Sequence, residues 1–258
     1  MLKTLTQATA AFLISAGTAL AAGGSTGHVE NIDFSFDGPF GSYDNSQLQR
    51  GLKVYVEICA ACHGLKYVPL RDLEQIGFSE AEVIAFSNQT YEVYDAELDD
   101  FRPAVPTDHF PENTAVGAPD LSLMAKARAG FHGPYGLGIN QLFKGIGGAE
   151  YVAALLESYT GKEKTEAGVT LYENTVFPGG WISMAQPLSD EIVEFDDGHA
   201  NDLHHLAVDT AAFLMWTAEP KLNDRKEVGV RALILLILLT GLLYLTNKRI
   251  WAPHKGKH

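Results

Sequence analysis

The chain has 258 residues with 32 acidic and 19 basic side chains, for a formal net charge of −13. That balance excludes a nucleic-acid partner and favours a basic one. It holds only two cysteines, Cys59 and Cys62, which excludes a disulfide-stapled fold and leaves the pair to be read as a local motif.

In chain order, Lys3 precedes an apolar run from Ala8 to Leu20 that ends in Ala19-Leu20-Ala21, a small-x-small cleavage pattern. This run is too short to span a bilayer, so residues 1–21 are expected to be a secretory signal peptide. Residues 22–45, rich in Gly, Ser, Asn and Asp, read as an extended arm. Leu48, Leu52, Tyr55 and Val56 fall at helical spacing, predicting a helix over 46–58 capped by Ser46 or Asn45. A short helix is expected at 79–87. Residues 88–120 read as a long, acidic, proline-bearing excursion that carries Asp95, Glu97, Asp99 and Asp100.

Helices are expected again over 121–129 and 138–157. Residues 158–181 read as loop or short strand with a turn at Pro178-Gly179-Gly180. A helix over 202–219 ends at Pro220, and 221–227 reads as a polar linker. Gly51 inside the first helix predicts close backbone approach, with Gly51 and Tyr55 facing Phe213 and Leu214. The run 228–246 is long enough to cross about 30 Å of hydrocarbon, so 228–247 is assigned as a membrane anchor.

Every acid lies between Ala22 and Val230. With Lys3, Arg231, Lys248, Arg249, Lys255 and Lys257 outside it, that stretch keeps 13 bases and a balance of −19. The basic tail 248–258 is expected on the cytoplasmic side of a bacterial inner membrane, and 22–227 in the periplasm.

Cys59-Ala60-Ala61-Cys62-His63 carries the chemistry. C-x-x-C-H is the attachment pattern of a c-type haem: two thiols about one turn apart reach two vinyl groups, and the next imidazole reaches the iron. A zinc site would need two more ligands at defined spacing, and a redox dithiol a βαβ context; neither is visible. The second axial ligand must come from elsewhere. Met184 follows a Gly-Gly turn on a loop and is preferred. Met124 and Met215 sit in apolar helical patterns, where methionine usually fills core. His28, His109, His132, His199, His204 and His205 are chemical rivals, most of them in polar loops and read as exposed.

The chain resembles the cytochrome c1 family, haem subunits of quinol:cytochrome c oxidoreductase. The resemblance runs from about residue 30 to the C-terminus. It rests on QRGLKVYVEICAACHGLKYVPLRDL at 49–73, APDLSLMAKARAG at 118–130, FPGGWISMAQPL at 177–188 and AAFLMWTAEP at 211–220. It implies a mostly α fold, a class I cytochrome c-like domain with loop insertions and one C-terminal transmembrane helix. It implies one covalent haem c held by Cys59 and Cys62, with His63 and Met184 on the iron. Arg128 would pair with a haem propionate, and Tyr151, Pro119 and Asn113 would line the pocket.

The implied partners are cytochrome b, a Rieske iron–sulfur protein and a cytochrome c or c2 as acceptor, in a dimeric membrane complex. The subunit itself is an electron carrier, and catalysis belongs to the assembly. Asp95, Glu97, Asp99 and Asp100 are candidates for steering a basic acceptor. Gln186 stands where the family usually has proline. The extra disulfide of some bacterial relatives is impossible here, so Met184 ligation is expected to be easier to lose. A tethered electron shuttle, and a haem enzyme or gas sensor with an open iron site, are the alternative readings.

Overall fold

A computed structural model describes residues 29–130, 145 and 147–254; the expected signal peptide, His28, His132 and the first part of the 138–157 helix lie outside these. The elements are helices α1 (Asn45–Glu57), α2 (Glu80–Thr90), α3 (Met124–Ala127), α4 (Gly148–Glu157), α5 (Leu203–Ala218) and α6 (Leu222–Trp251). Strands are β1 (Glu92–Asp95), β2 (Asp100–Pro103), β3 (Tyr159–Glu166), β4 (Val169–Asn174) and β5 (Trp181–Ile182).

Helix α1 begins one residue earlier than expected, and its cap is Asp44 rather than Ser46 or Asn45. The Asp44 carboxylate accepts the Ser46 amide at 2.9 Å and the Gln47 amide at 3.5 Å. Ser79 and Glu82 form a capping box at the start of α2. Asp202 caps α5 by accepting from the His205 amide.

The core is built on α5, against which α1, α3 and α4 all pack. The glycine expectation is met at Gly51. A Cβ there would lie 2.2 Å from the Asp209 carbonyl oxygen and 2.6 Å from Phe213 Cβ. Only a residue without a side chain lets the two backbones approach so closely. Tyr55 and Phe213 then meet at 5.8 Å between ring centroids, and Tyr55 reaches Phe110 at 5.9 Å. Leu48, Leu52, Leu206, Phe213 and Trp216 are all buried, each worth roughly 1.5–3 kcal/mol. Arg50 ties the same two helices, its Nε 2.7 Å from Asp209 Oδ2.

Three local expectations are corrected. The acidic excursion contains an antiparallel hairpin, β1–β2, with Asp95 paired to Asp100. Residues 158–181 hold more strand than expected: β3, β4 and β5 make a three-stranded antiparallel sheet in the order β3-β4-β5. The 121–129 helix shrinks to α3, leaving Arg128 extended just beyond it.

The polar linker at 221–227 is instead the first turns of α6. Pro220 separates α5 from α6, and Leu222 is buried in the core. The Tyr43 hydroxyl donates to the carbonyls of Met215 and Glu219, which fastens the segment before α1 to the end of α5. Lys226 donates to the carbonyls of Phe36 and Gly41. Helix α6 is long and apolar enough to cross a membrane, and its apolar window is unburied.

Candidate functional site

The last turn of α1 runs into a 3₁₀ turn, Cys59–Ala61. The Cys59 carbonyl accepts from the amides of Cys62 at 3.1 Å and His63 at 2.9 Å. This closes the one-turn spacing that the motif requires. Cys59 packs against the core, whereas Cys62 is exposed. Burial pushes the Cys59 thiol up to about 12, with Cys62 beside it adding to the effect. A reactive dithiol needs a depressed value, so the geometry argues against redox exchange.

His63 is half-buried. Its Nδ1 lies 2.7 Å from the Pro119 carbonyl. A carbonyl only accepts, so Nδ1 carries the proton and the Nε2 lone pair is left for a ligand role. This is the arrangement by which a backbone carbonyl orients an iron-binding imidazole. Pro119 therefore acts on the histidine directly, more than the pocket-lining role implied for it.

Asn113 also does something more specific than line a pocket. Its amide donates to the carbonyls of Ala60 at 3.2 Å and Ala61 at 3.0 Å, clamping the turn between the cysteines. The Tyr55 hydroxyl donates to the His63 carbonyl at 3.0 Å. Gly64 lets the 111–113 segment lie on top: a Cβ there would sit 2.7 Å from Pro111 O and from Asn113 N. Asp120 accepts from the Lys66 amide, and the Ser122 hydroxyl from the Tyr67 amide. The sequence assigns Tyr55 to helix packing only, and points to none of Tyr55, Gly64 and Asp120 as part of the site. The glycine directly after C-x-x-C-H was the available signal for the second; the others are paired by tertiary contacts alone.

Met184 lies near His63 and packs against the main core. It follows β5, and its carbonyl accepts from the Tyr159 hydroxyl at 3.1 Å. The amide of Gln186 donates to the Leu188 carbonyl at 3.1 Å, so a hydrogen bond braces the loop where the family has a proline ring. Met124 and Met215 pack against the core, as expected of filler.

Arg128 is exposed, and its guanidinium has no carboxylate partner among the described residues; it reaches only the Ala127 carbonyl. Tyr151, on α4, is buried in a small cluster with Val29 and Val176. Burial raises its phenol, and the nearby Arg128 charge works in the opposite direction.

Among the rival histidines, His109 and His199 are exposed. His204 and His205 lie on the first turn of α5, within the expected 202–219 helix, and pair with Glu157 and Asp202 at 2.9 and 2.7 Å. In the β1–β2 hairpin, Asp95 is bound by Arg102, which also holds Asp108. Asp99 accepts from the Tyr94 hydroxyl. Glu97 and Asp100 are exposed.

Comparison with known proteins extends these observations. The Cytochrome C1 family model matches residues 34–254. The chain is 50% identical to the cytochrome c1 of Cereibacter sphaeroides, over 98% of this chain and 96% of that protein. It is 41% identical to the cytochrome c1 of Rhodobacter capsulatus over 99% of each. The mitochondrial cytochrome b-c1 complex catalytic subunit of Candida albicans is 32% identical, over 89% of this chain and 80% of that one. The match covers the clamped C-x-x-C-H turn, the Met184 loop and the terminal apolar helix together, and the chain belongs to the cytochrome c1 family.

Proposed function

We propose that this chain takes single electrons from a Rieske iron–sulfur protein and delivers them to a cytochrome c, as the c1 subunit of a b-c1 complex. The observation that carries the reading is the His63–Pro119 hydrogen bond, which keeps the proton on Nδ1 and leaves the Nε2 lone pair for a ligand role. The family implies a covalent haem c, and the residues present fit it. Cys59 and Cys62 would form its thioether links, His63 and Met184 would fill both axial positions, and Arg128 is free to pair with a propionate. When bound, it supplies a one-electron couple closed to oxygen and substrates. The protein's part is to hold two ligands, shield the site and present an edge for exchange.

Anchoring follows from α6, with Lys248 and Arg249 at its far end. Cytochrome b is the partner that would enclose this helix. The domain would stand in the periplasm and the tail in the cytoplasm. A tethered shuttle needs a flexible linker, and here α6 starts against the core instead.

Replacing Met184 by Leu tests the ligand set. The expected result is a lower midpoint potential and a reduced protein that binds carbon monoxide; unchanged values would assign the sixth ligand elsewhere. In the proposed steering patch Asp95 and Asp99 are engaged by side chains and Asp100 accepts the Phe101 amide, so Glu97 is the carboxylate with no hydrogen bond among the described residues. Electron transfer to a basic cytochrome c is expected to slow with rising salt, and neutralising Glu97, Asp99 and Asp100 to flatten that slope. An unaltered slope would place docking on another acidic face.

A further inference from the structure

Where the domain meets α6, the protein borders an open-sided cavity of about 520 Å³ that electron transfer does not use. One wall is formed by Phe36, Asp37 and Glu150, the other by Gly229, Val230 and Leu233 at the start of the apolar part of α6. The cavity therefore lies at the level where the helix enters the membrane.

Three cations also border it, and each already has partners. Lys126 and Arg225 both reach Glu219, and Lys226 reaches two backbone carbonyls. Asp37 accepts the Phe34 amide. Glu150 is different: it is 2% exposed, and its Oε1 has no hydrogen-bond partner among the described residues. Burial pushes its carboxyl up to about 7, and the neighbouring Asp37 charge adds to this. A buried oxygen left unpaired keeps the full cost of its desolvation. What is missing is a cationic hydrogen-bond donor carried on an apolar body.

At a membrane surface one abundant molecule has that chemistry. We propose that the cavity binds a phosphatidylethanolamine, its ammonium donating to Glu150 Oε1 and an acyl chain lying along Val230 and Leu233. Mixed charge around the rim suits a zwitterionic headgroup, with Lys126 and Arg225 on the side of its phosphate. Phosphatidylcholine has the same charges but no N–H to donate. Phosphatidylglycerol has no cation. The proposal is independent of the electron-transfer reading.

The test uses the full-length protein in its native complex, delipidated in mild detergent. Native mass spectrometry then counts retained dioleoyl phosphatidylethanolamine, phosphatidylcholine or phosphatidylglycerol. Wild type is expected to retain phosphatidylethanolamine about tenfold better than the other two, and Glu150→Gln to abolish that preference while leaving the others unchanged. Gly229→Leu tests the apolar half. A Cβ at 229 meets nothing within 4 Å, so the fold tolerates the change while the added bulk enters the cavity and lowers retention of phosphatidylethanolamine. If Glu150→Gln failed to assemble, the Gly229→Leu result would decide. Equal retention of the three lipids by wild type would overturn the proposal. So would full retention by either variant, or a cross-link showing a basic side chain of another subunit seated on Glu150.

Discussion

The two loops that supply the axial-ligand candidates are held very differently. Around His63 almost every polar group is committed. The ring is bonded to Pro119, its own carbonyl to Tyr55, and the two carbonyls between the cysteines to Asn113. The turn also hangs from α1, which is locked to α5 through Gly51. The Met184 loop leans on a two-residue strand, one bond from Tyr159 and one from Gln186. A ligand on an over-determined turn stays put, whereas a ligand on a lightly tethered loop can leave. The absence of a second cysteine pair makes this asymmetry sharper, because no covalent bridge closes the Met184 side.

The contrast can be broken most severely at the helix crossing. Gly51→Val places carbon where the Asp209 carbonyl and Phe213 Cβ already stand, so α1 must lift from α5. A loss of about 3 kcal/mol or more is expected in urea denaturation, with disrupted attachment at Cys59. A tolerated valine would mean that the two helices are not in contact. Next in size is Asn113→Ala, which leaves two carbonyls of the C-x-x-C-H turn without donors. The expected destabilisation is roughly 1–3 kcal/mol, and Asn113→Asp should be as damaging because a carboxylate cannot donate. Rescue by aspartate would refute the clamp. The smallest effect is expected at Tyr159→Phe, about 0.5–1.5 kcal/mol in global stability. Its signature is local: carbon monoxide should compete for the iron more readily than in wild type. Unchanged carbon monoxide binding would show that the Met184 loop is held by packing rather than by that hydroxyl.

Much of this was legible in the amino-acid order, and the failures have physical causes. The β3–β4 hairpin escaped because YTGKEKTE has little apolar alternation; both faces of β3 are largely exposed. Its turn was the overlooked signal, since Ala167 and Gly168 both take positive φ, the geometry of a tight two-residue hairpin. From sequence the start of α6 reads as a linker because Asn223, Asp224, Arg225 and Lys226 are polar. Asn223, Arg225 and Lys226 bond to the domain's foot and leave the helical backbone intact. The cap of α1 was misplaced by one residue, as helix ends often are when several capping residues adjoin.

The sequence by itself determined the chemistry and the anchor. Two thiols and an imidazole at C-x-x-C-H spacing lie within one turn, and a 30-residue helix with a long apolar run is a local property of the chain. Neither depends on how distant segments meet. The tertiary structure alone decided which polar groups serve the site. Pro119 reaches His63 across 56 positions, Asn113 reaches Ala60 across 53, and Glu150 Oε1 is left without a partner among the described residues, beside a membrane helix some 80 residues away. Such pairings depend on how α1, α4 and α5 pack, because a hydrogen bond needs atoms within about 3 Å and the order of residues does not set that distance.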